Sequence, residues 1–500
     1  MNRTTLSLIA GASALAAVTG LAAVTAPDAS GDASRTSAAV QAPVERTSLL
    51  CPAPSTSDLA ETTYTSFTPV TEGAGDEGTA ALTPAGADVN GADDGKKATP
   101  AKPAEPVLKP GKPGTPVEGE TTGGDTPAMI GTADGLYAPG WTVQQTTEVA
   151  AGAGRGLLGV NCTPADTDFW FPGASTAEGR TDYVHLTNPD DSAALVDIEL
   201  YGEEGELQST VADGITVPPR STEPVLLSTL TDAEETGLTV HLNVRGGRIG
   251  AAVEALDDEL GGDWLSASAD PAANLVIPGI PKDATEVTLV AFTPGDADAD
   301  LNVRLAAPSG AITPAGHETL RVKSGMTTSA DLGDVTRGEP GSLVLTPTDR
   351  SVPVVAAARV VRGKGDSRET AFIPATRAVG ARSTSVAHTE KGATLSLTAP
   401  DGTAKVRVTA SAGTGGGEPV TKTYTVEGGT TQDVEAPVPS GLEGTYALTV
   451  ETVSGGPVHA ARTLTATRDG VPAFTVQTLP DDRGMVAVPE AEQDLSVLQR

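Results

Sequence analysis

Residues 238–254 read LTVHLNVRGGRIGAAVE. Side chains of an extended chain alternate between two faces, so Val240, Leu242 and Val244 share one side of a strand and His241 and Asn243 the other. A Gly turn comes next, and then a second apolar run. The same pair of runs recurs twice: SLVLTPT (342–348) with PVVAAAR (353–359), and YALTVET (446–452) with PVHAAR (457–462). Self-similarity at this distance predicts tandem units, each ending in a recurring strand pair.

Working outward, each pair is preceded by an alternating strand, a turn, and a strand that starts at Thr222, Thr327 or Thr431: ITVPPRST, LRVKSGMT and YTVEGGTT. Before these come strands running into Gly turns, LYGEEG, LAAPSG and LTAPDG, which end at Gly205, Gly310 and Gly402. Units are expected to open on an apolar residue followed by Pro. Four such cues occur, at Cys51-Pro52, Phe171-Pro172, Ile277-Pro278 and Ile373-Pro374, with Pro spacings of 120, 106 and 96. A second strand comes after each, with Thr68, Thr187, Thr293 or Thr389 at +16, +15, +15 and +15 from the Pro. In the first unit, RGLLGVNC, ending at Cys162, takes the place of the final strand.

Six or more short strands per ~100 residues, bounded by Gly, Pro and Asp turns, predict a β-sandwich; a propeller blade repeats at only ~40–50 residues. The fold class expected is all-β, a row of tandem immunoglobulin-like β-sandwiches over 45–165, 166–272, 273–368 and 369–490. Because the apolar-Pro strand suits either the end of one unit or the start of the next, each boundary is defined to about one strand. Within the first unit, residues 71–127 have no aromatic residue and no periodicity. Gly, Pro, Lys and acids dominate there, including Lys96, Lys97, Lys102, Lys109 and Lys112. The expectation is a disordered insert that cannot offset its own ordering entropy.

The N-terminus carries Arg3, an apolar stretch from Leu6 to Ala26, and then Asp28 and Asp32. That is the order of a secretory signal over 1–26, and its length also suits an uncleaved anchor, since an apolar helix of this length spans a bilayer. The body is expected outside the cytoplasm, secreted or on the extracellular face of the membrane. The two cysteines, Cys51 and Cys162, are then expected to form one disulfide.

Of the 500 residues, 65 are acidic and 33 basic, giving a net charge of -32. This excludes nucleic acid and peripheral docking on anionic membrane as partners, because both need a basic footprint. No H-E-x-x-H, G-x-S-x-G or C-x-x-C motif occurs, and the five histidines, His185, His241, His317, His388 and His459, are dispersed. The stretch from Gly154 to Gly159 matches G-x-G-x-x-G, but Val160–Pro164 continue it as strand and turn rather than the helix a dinucleotide needs. Asp296, Asp298 and Asp300, in a DADAD loop, are the residues a weak calcium site would use, and a solvated acidic turn is the plainer reading. Trp170 and Trp264 flank the apolar-Pro strands and are expected to pack in cores or between domains.

The LLCPAP opening around Cys51, the segment NCTPADTDFWFPG around Cys162 and Trp170, and the Ala/Gly/Thr/Val/Asp bias resemble a family of secreted actinobacterial proteins known only as a domain of unknown function. The resemblance implies export and no assigned chemistry. The repeats also resemble, in architecture, immunoglobulin-like and fibronectin-type modules of bacterial surface proteins. Taken together, these readings give the expectation of a non-catalytic cell-envelope protein with a structural or interaction role and no cofactor. Its partner would be an envelope glycan or protein. An extracellular glycan- or protein-binding module is the first alternative and a divergent secreted hydrolase the second.

Overall fold

The computed structural model describes residues 40–86, 105–209, 211–468 and 471–489. Among them every regular element is a β-strand except three single-turn 3-10 helices, Gly135–Tyr137, Leu227–Thr229 and Gly365–Ser367. The chain forms two compact units. Among the described residues one holds Val40–Ala42 and 486–489, from the ladder between Val40–Pro43 and Met485–Val488; the other, Pro43–Met485, is the body. The signal segment expected at 1–26 lies outside the described residues.

The body contains four modules built on one plan. The second module shows it with seven principal strands: Asp168–Ala174, Arg180–Thr187, Ala194–Gly202, Thr222–Leu226, Leu238–Gly246, Gly250–Asp257 and Gly261–Leu265. The first, fifth and third strands form one antiparallel sheet in the order first–fifth–third, and the other sheet runs fourth–second–sixth–seventh. Successive strands therefore alternate between sheets until the sixth and seventh join as a hairpin. The other three modules repeat both orders. Phe171, Val196 and Leu242 from one sheet meet Val184, Leu186 and Val253 from the other in a common core. The modules are sandwiches, as the alternation predicts. Their adjacencies, first–fifth–third and second–sixth–seventh, are those of B-E-D and C-F-G in an immunoglobulin sandwich, with the fourth strand added at the edge beside the second.

Two expectations are corrected, and one boundary settles within the one strand to which it was defined. Residues 71–127 are not a structureless insert. Ala80–Pro84 pairs with Met129–Asp134, and Val117–Thr122 pairs with Ala60–Phe67, so the stretch supplies the third and fourth strands of the first module; only 87–104 fall outside the described residues. Leu82 and Leu108, both buried, are the apolar anchors that a composition average hides. The boundary at 369 also moves. Glu369–Pro374 pairs with Val355–Arg362, so the fourth apolar-Pro cue closes the third module while the first three sit on opening strands. The fourth module opens instead at Ser383–His388, and its second strand is Ala393–Ala399.

The modules also do not stand in a row. Their closing strands, Gly156–Asn161, Gly261–Leu265, Glu369–Pro374 and Val471–Thr478, pack in cyclic order, the last against the first. Around this centre the opening strand of each module lies against the next module. Asp168–Ala174 packs on Val355–Arg362, Leu275–Ile280 packs on His459–Arg468, and Arg46–Cys51 touches Gly250–Asp257; Ser383–His388 completes the circle on Thr142–Val149. Repeated head-to-tail contacts form a ring when the rotation closes, and here it closes after four modules.

The sixth strands explain the contact. A strand covered on both faces reads as a continuous apolar run rather than an alternating one. In PVVAAAR, Ala356 and Ala358 point into the third module's own core, while Ala357 joins the core of the second. In PVHAAR, Ala460 faces the fourth core and Ala461 the third. Small side chains let the neighbouring strand approach. Gly279, at φ 82°, continues the logic: a Cβ there would lie 2.6 Å from Cβ of Ala461.

Candidate functional site

Asp263 marks the middle of the ring. It is fully buried on the closing strand of the second module. Gly159 N–H donates to Oδ1 at 3.1 Å from the first module, Phe372 N–H to Oδ2 at 3.4 Å from the third, and Thr475 Oγ1 to both oxygens at 3.1 and 3.2 Å from the fourth. One carboxyl thus joins all four modules. Burial pushes it well above the usual carboxylate range, against the bonds it accepts from Gly159, Trp264, Thr475 and Phe372. The first module reaches this point because Gly159 has no side chain; a Cβ would sit 2.5 Å from Cγ2 of Thr475.

The chain segments that leave the four closing strands diverge and leave a pocket of about 540 Å³. Asn161–Pro164 lines it from the first module, Ser266–Asp270 from the second, Ala375–Arg377 from the third and Thr478–Arg483 from the fourth. A pocket of this size falls within the range of small-ligand sites. The lining is rich in hydroxyls and amides, among them Thr142, Gln144, Asn161, Thr187, Ser268, Thr376 and Thr384. Several are already bonded: within the first module Gln144 Nε2 donates to Asn161 Oδ1 at 2.6 Å, and across to the fourth module Asn161 Nδ2 donates to the Thr478 carbonyl at 2.8 Å and the hydroxyls of Thr142 and Thr384 touch.

Several charged groups in the lining are paired. Asp168 accepts from Trp170 Nε1 at 2.7 Å and lies 3.1 Å from His241 Nε2; Asp482 pairs with Arg382 at 2.5 Å, and Asp270 pairs with Arg377. Two buried side-chain atoms of lining residues have no hydrogen-bond partner, Ser268 Oγ and His185 Nδ1. His185 is buried, with Nε2 3.3 Å from Glu254 Oε2 and its ring edge-on to Trp264 at 5.2 Å. Such sites can bind through an array of donors and acceptors.

Cys51 and Cys162 form a disulfide, with Cα atoms 4.4 Å apart. It ties the first module's opening strand to the end of its closing strand, and Cys162 lines the pocket. Trp170 and Trp264 sit between modules: Trp264 in a cluster with Leu158, Val160 and Ala252, and Trp170 with Phe292 and Val355. Gly156–Asn161 is a strand, so the G-x-G-x-x-G match carries no phosphate loop. Asp296, Asp298 and Asp300 lie on the third module, outside the pocket lining. Asp298 is held by Arg321 at 2.7 Å and by Ser324 N–H at 3.0 Å, while Asp296 and Asp300 are exposed. Among the described residues no group of three or more His, Cys, Asp or Glu could hold a metal ion.

Sequence reading missed the pocket and the hub. Each lies where residues from four repeats meet, and no short motif records that meeting. One local signal does exist: GGDWL places an acid inside an otherwise apolar closing strand, and a charge there requires a built environment.

The Family of unknown function (DUF5719) matches residues 117–437. This is nearly two thirds of the chain, which therefore belongs to that family. The match runs from the fourth strand of the first module into the fourth module and includes both central modules entire. It takes in NCTPADTDFWFPG, one of the two segments on which the resemblance rests; the other, LLCPAP at 49–54, lies before it. No curated protein matches the chain.

Proposed function

We propose that this member of a family without assigned chemistry is an exported, non-catalytic binding scaffold of the cell envelope, holding a glycan or protein segment in the axial pocket. The observation that carries the reading is that all four modules contribute to one pocket through the segments leaving their closing strands. A ring arranged this way presents one binding surface on a rigid frame. The pocket sets hydroxyls, amides and charged groups in a lining that is more apolar than polar, which suits a ligand with both polar groups and apolar faces. Its one histidine is directed at Glu254, and both are buried; nothing in the lining joins that pair to an activated nucleophile. Export is supported by the N-terminal sequence and by the Cys51–Cys162 bridge, which suits an oxidising compartment.

Native mass spectrometry of the chain purified from a secreting host, after incubation with an envelope digest, tests the reading. The wild type is expected to retain an envelope component. Thr376→Trp, which places an indole in the pocket, is expected to lose it with the fold intact. Recovery of the component in a cleaved form would show a hydrolase, and equal retention by Thr376→Trp would place binding elsewhere.

A further inference from the structure

The fourth module differs from the second and third in one pair of its core. Core-facing pairs between the sixth and seventh strands are apolar in the second and third modules, Val253 with Leu265 and Ala358 with Ile373. In the fourth module the corresponding strands pair Arg462 with Gln477. Arg462 is 0% exposed and Gln477 only 3%. Its cross-strand neighbour Leu395 and the adjacent Ala460 belong to the module's core, so the guanidinium lies inside the sandwich.

The hydrogen bonding there is one-sided. Arg462 Nη2 donates to Gln477 Oε1. Arg462 Nε and Nη1 and Gln477 Nε2 have no partner, and all three are donors. No carboxylate forms an ion pair with Arg462 among the described residues. His388, close enough to feel its charge, does not balance it: burial and then Arg462 itself push that imidazole well below its usual range, and its Nε2 is already 2.8 Å from Ser385 Oγ. An isolated buried guanidinium costs far more than one net hydrogen bond returns, and a water would satisfy the donors without removing the charge.

We propose that the core of the fourth module encloses a small monovalent inorganic anion, with chloride the abundant candidate, held at the unpartnered Nε–H of Arg462. The anion supplies the missing acceptor and cancels the charge at once. It also bears on the ring. Gln477 lies two residues beyond Thr475, which holds the central Asp263, so an occupied site fixes the closing strand at the position where the fourth module meets the others.

The test is thermal unfolding of the full chain in sodium chloride against sodium gluconate at constant ionic strength. The midpoint is expected to rise by several degrees with chloride and to saturate, as for any ligand that binds only the folded state. Arg462→Met, which removes charge and donors at similar volume, is expected to abolish the difference. Equal midpoints in the two salts, or an unchanged chloride response in Arg462→Met, would overturn the site. Should that variant not fold, wild-type crystals grown in bromide decide: an anomalous peak against the Arg462 guanidinium supports the proposal, and its absence overturns it.

Discussion

Asp263 joins all four modules through a single carboxyl. That group is raised by burial, so the neutral acid is the form the folded state favours. Its raised value sets the sign of the pH effect. The stability that a raised carboxyl contributes is fully present below the unfolded value, near ~4, and is lost as pH climbs through the folded value. Asp263→Asn keeps the shape and does not titrate. In urea unfolding at pH 4, 6 and 8, the advantage of wild type over Asp263→Asn should shrink as pH rises; a constant difference would mean the group does not change protonation in this range. Asp182, pushed up to about 6 by burial with Arg180 opposing, and Glu369, pushed up to about 7, add the same trend, and that is why the comparison with a variant is needed. At this scale the sequence is least informative. GGDWL marks Asp263 as an acid in an apolar strand, but its role as a junction comes from three neighbours that lie 104 to 212 residues away.

Among the strands, the closing and sixth strands do most to set the architecture. Gly159 lets the first closing strand touch the last; Gly159→Val adds a side chain where Thr475 already stands. Overpacking of this kind costs about 1–3 kcal/mol, and denaturant unfolding should show a loss of that size. An unchanged midpoint would mean the strands are farther apart than described. The disulfide acts on the same module. Replacing Cys51 and Cys162 by Ser should cost roughly 2–4 kcal/mol, since the bridge closes a long loop, and limited proteolysis should then reach the opening strand first. Strand existence was legible from alternation and turns, and the strand pairs at 238–254, 342–359 and 446–462 are present where the pattern places them. The third and fourth strands of the first module were not, because AALTP is short, VEGETT is short and polar, and a long Pro- and Lys-rich stretch separates them. The ring contact was also in the letters: three consecutive alanines in PVVAAAR break alternation, which signals a strand buried on both faces.

For the whole molecule, the modules are not independent beads. Phe474 and Val476 of the fourth module complete the core of the third, and Phe372 of the third joins that of the second. A fragment holding only the third module, 273–375, exposes those seams. It should be soluble only poorly and should bind hydrophobic dyes, whereas a row of self-sufficient sandwiches would yield a well-folded fragment. The four seams differ in character. Three rest on aromatic clusters around Trp264, Trp170 and Phe474. The seam between the fourth and first modules is more polar: besides Phe67, Val386 and Ala447 it has the Thr142–Thr384 contact, Val386 N–H donating to Gln144 Oε1 at 2.9 Å, and Arg382 reaching Asp482, Thr71 and the Pro139 carbonyl. It is also the seam that distinguishes a ring from a row, since its partners lie 242 residues apart in sequence. Cysteines introduced together at Thr142 and Thr384 test it most directly. With mild oxidation, non-reducing peptide mapping should recover a 142–384 disulfide beside the native 51–162 bridge, as the ring requires. Two freely alkylated thiols at those positions, with the native bridge intact, would mean that the fourth module does not return to the first, and the axial pocket would go with it.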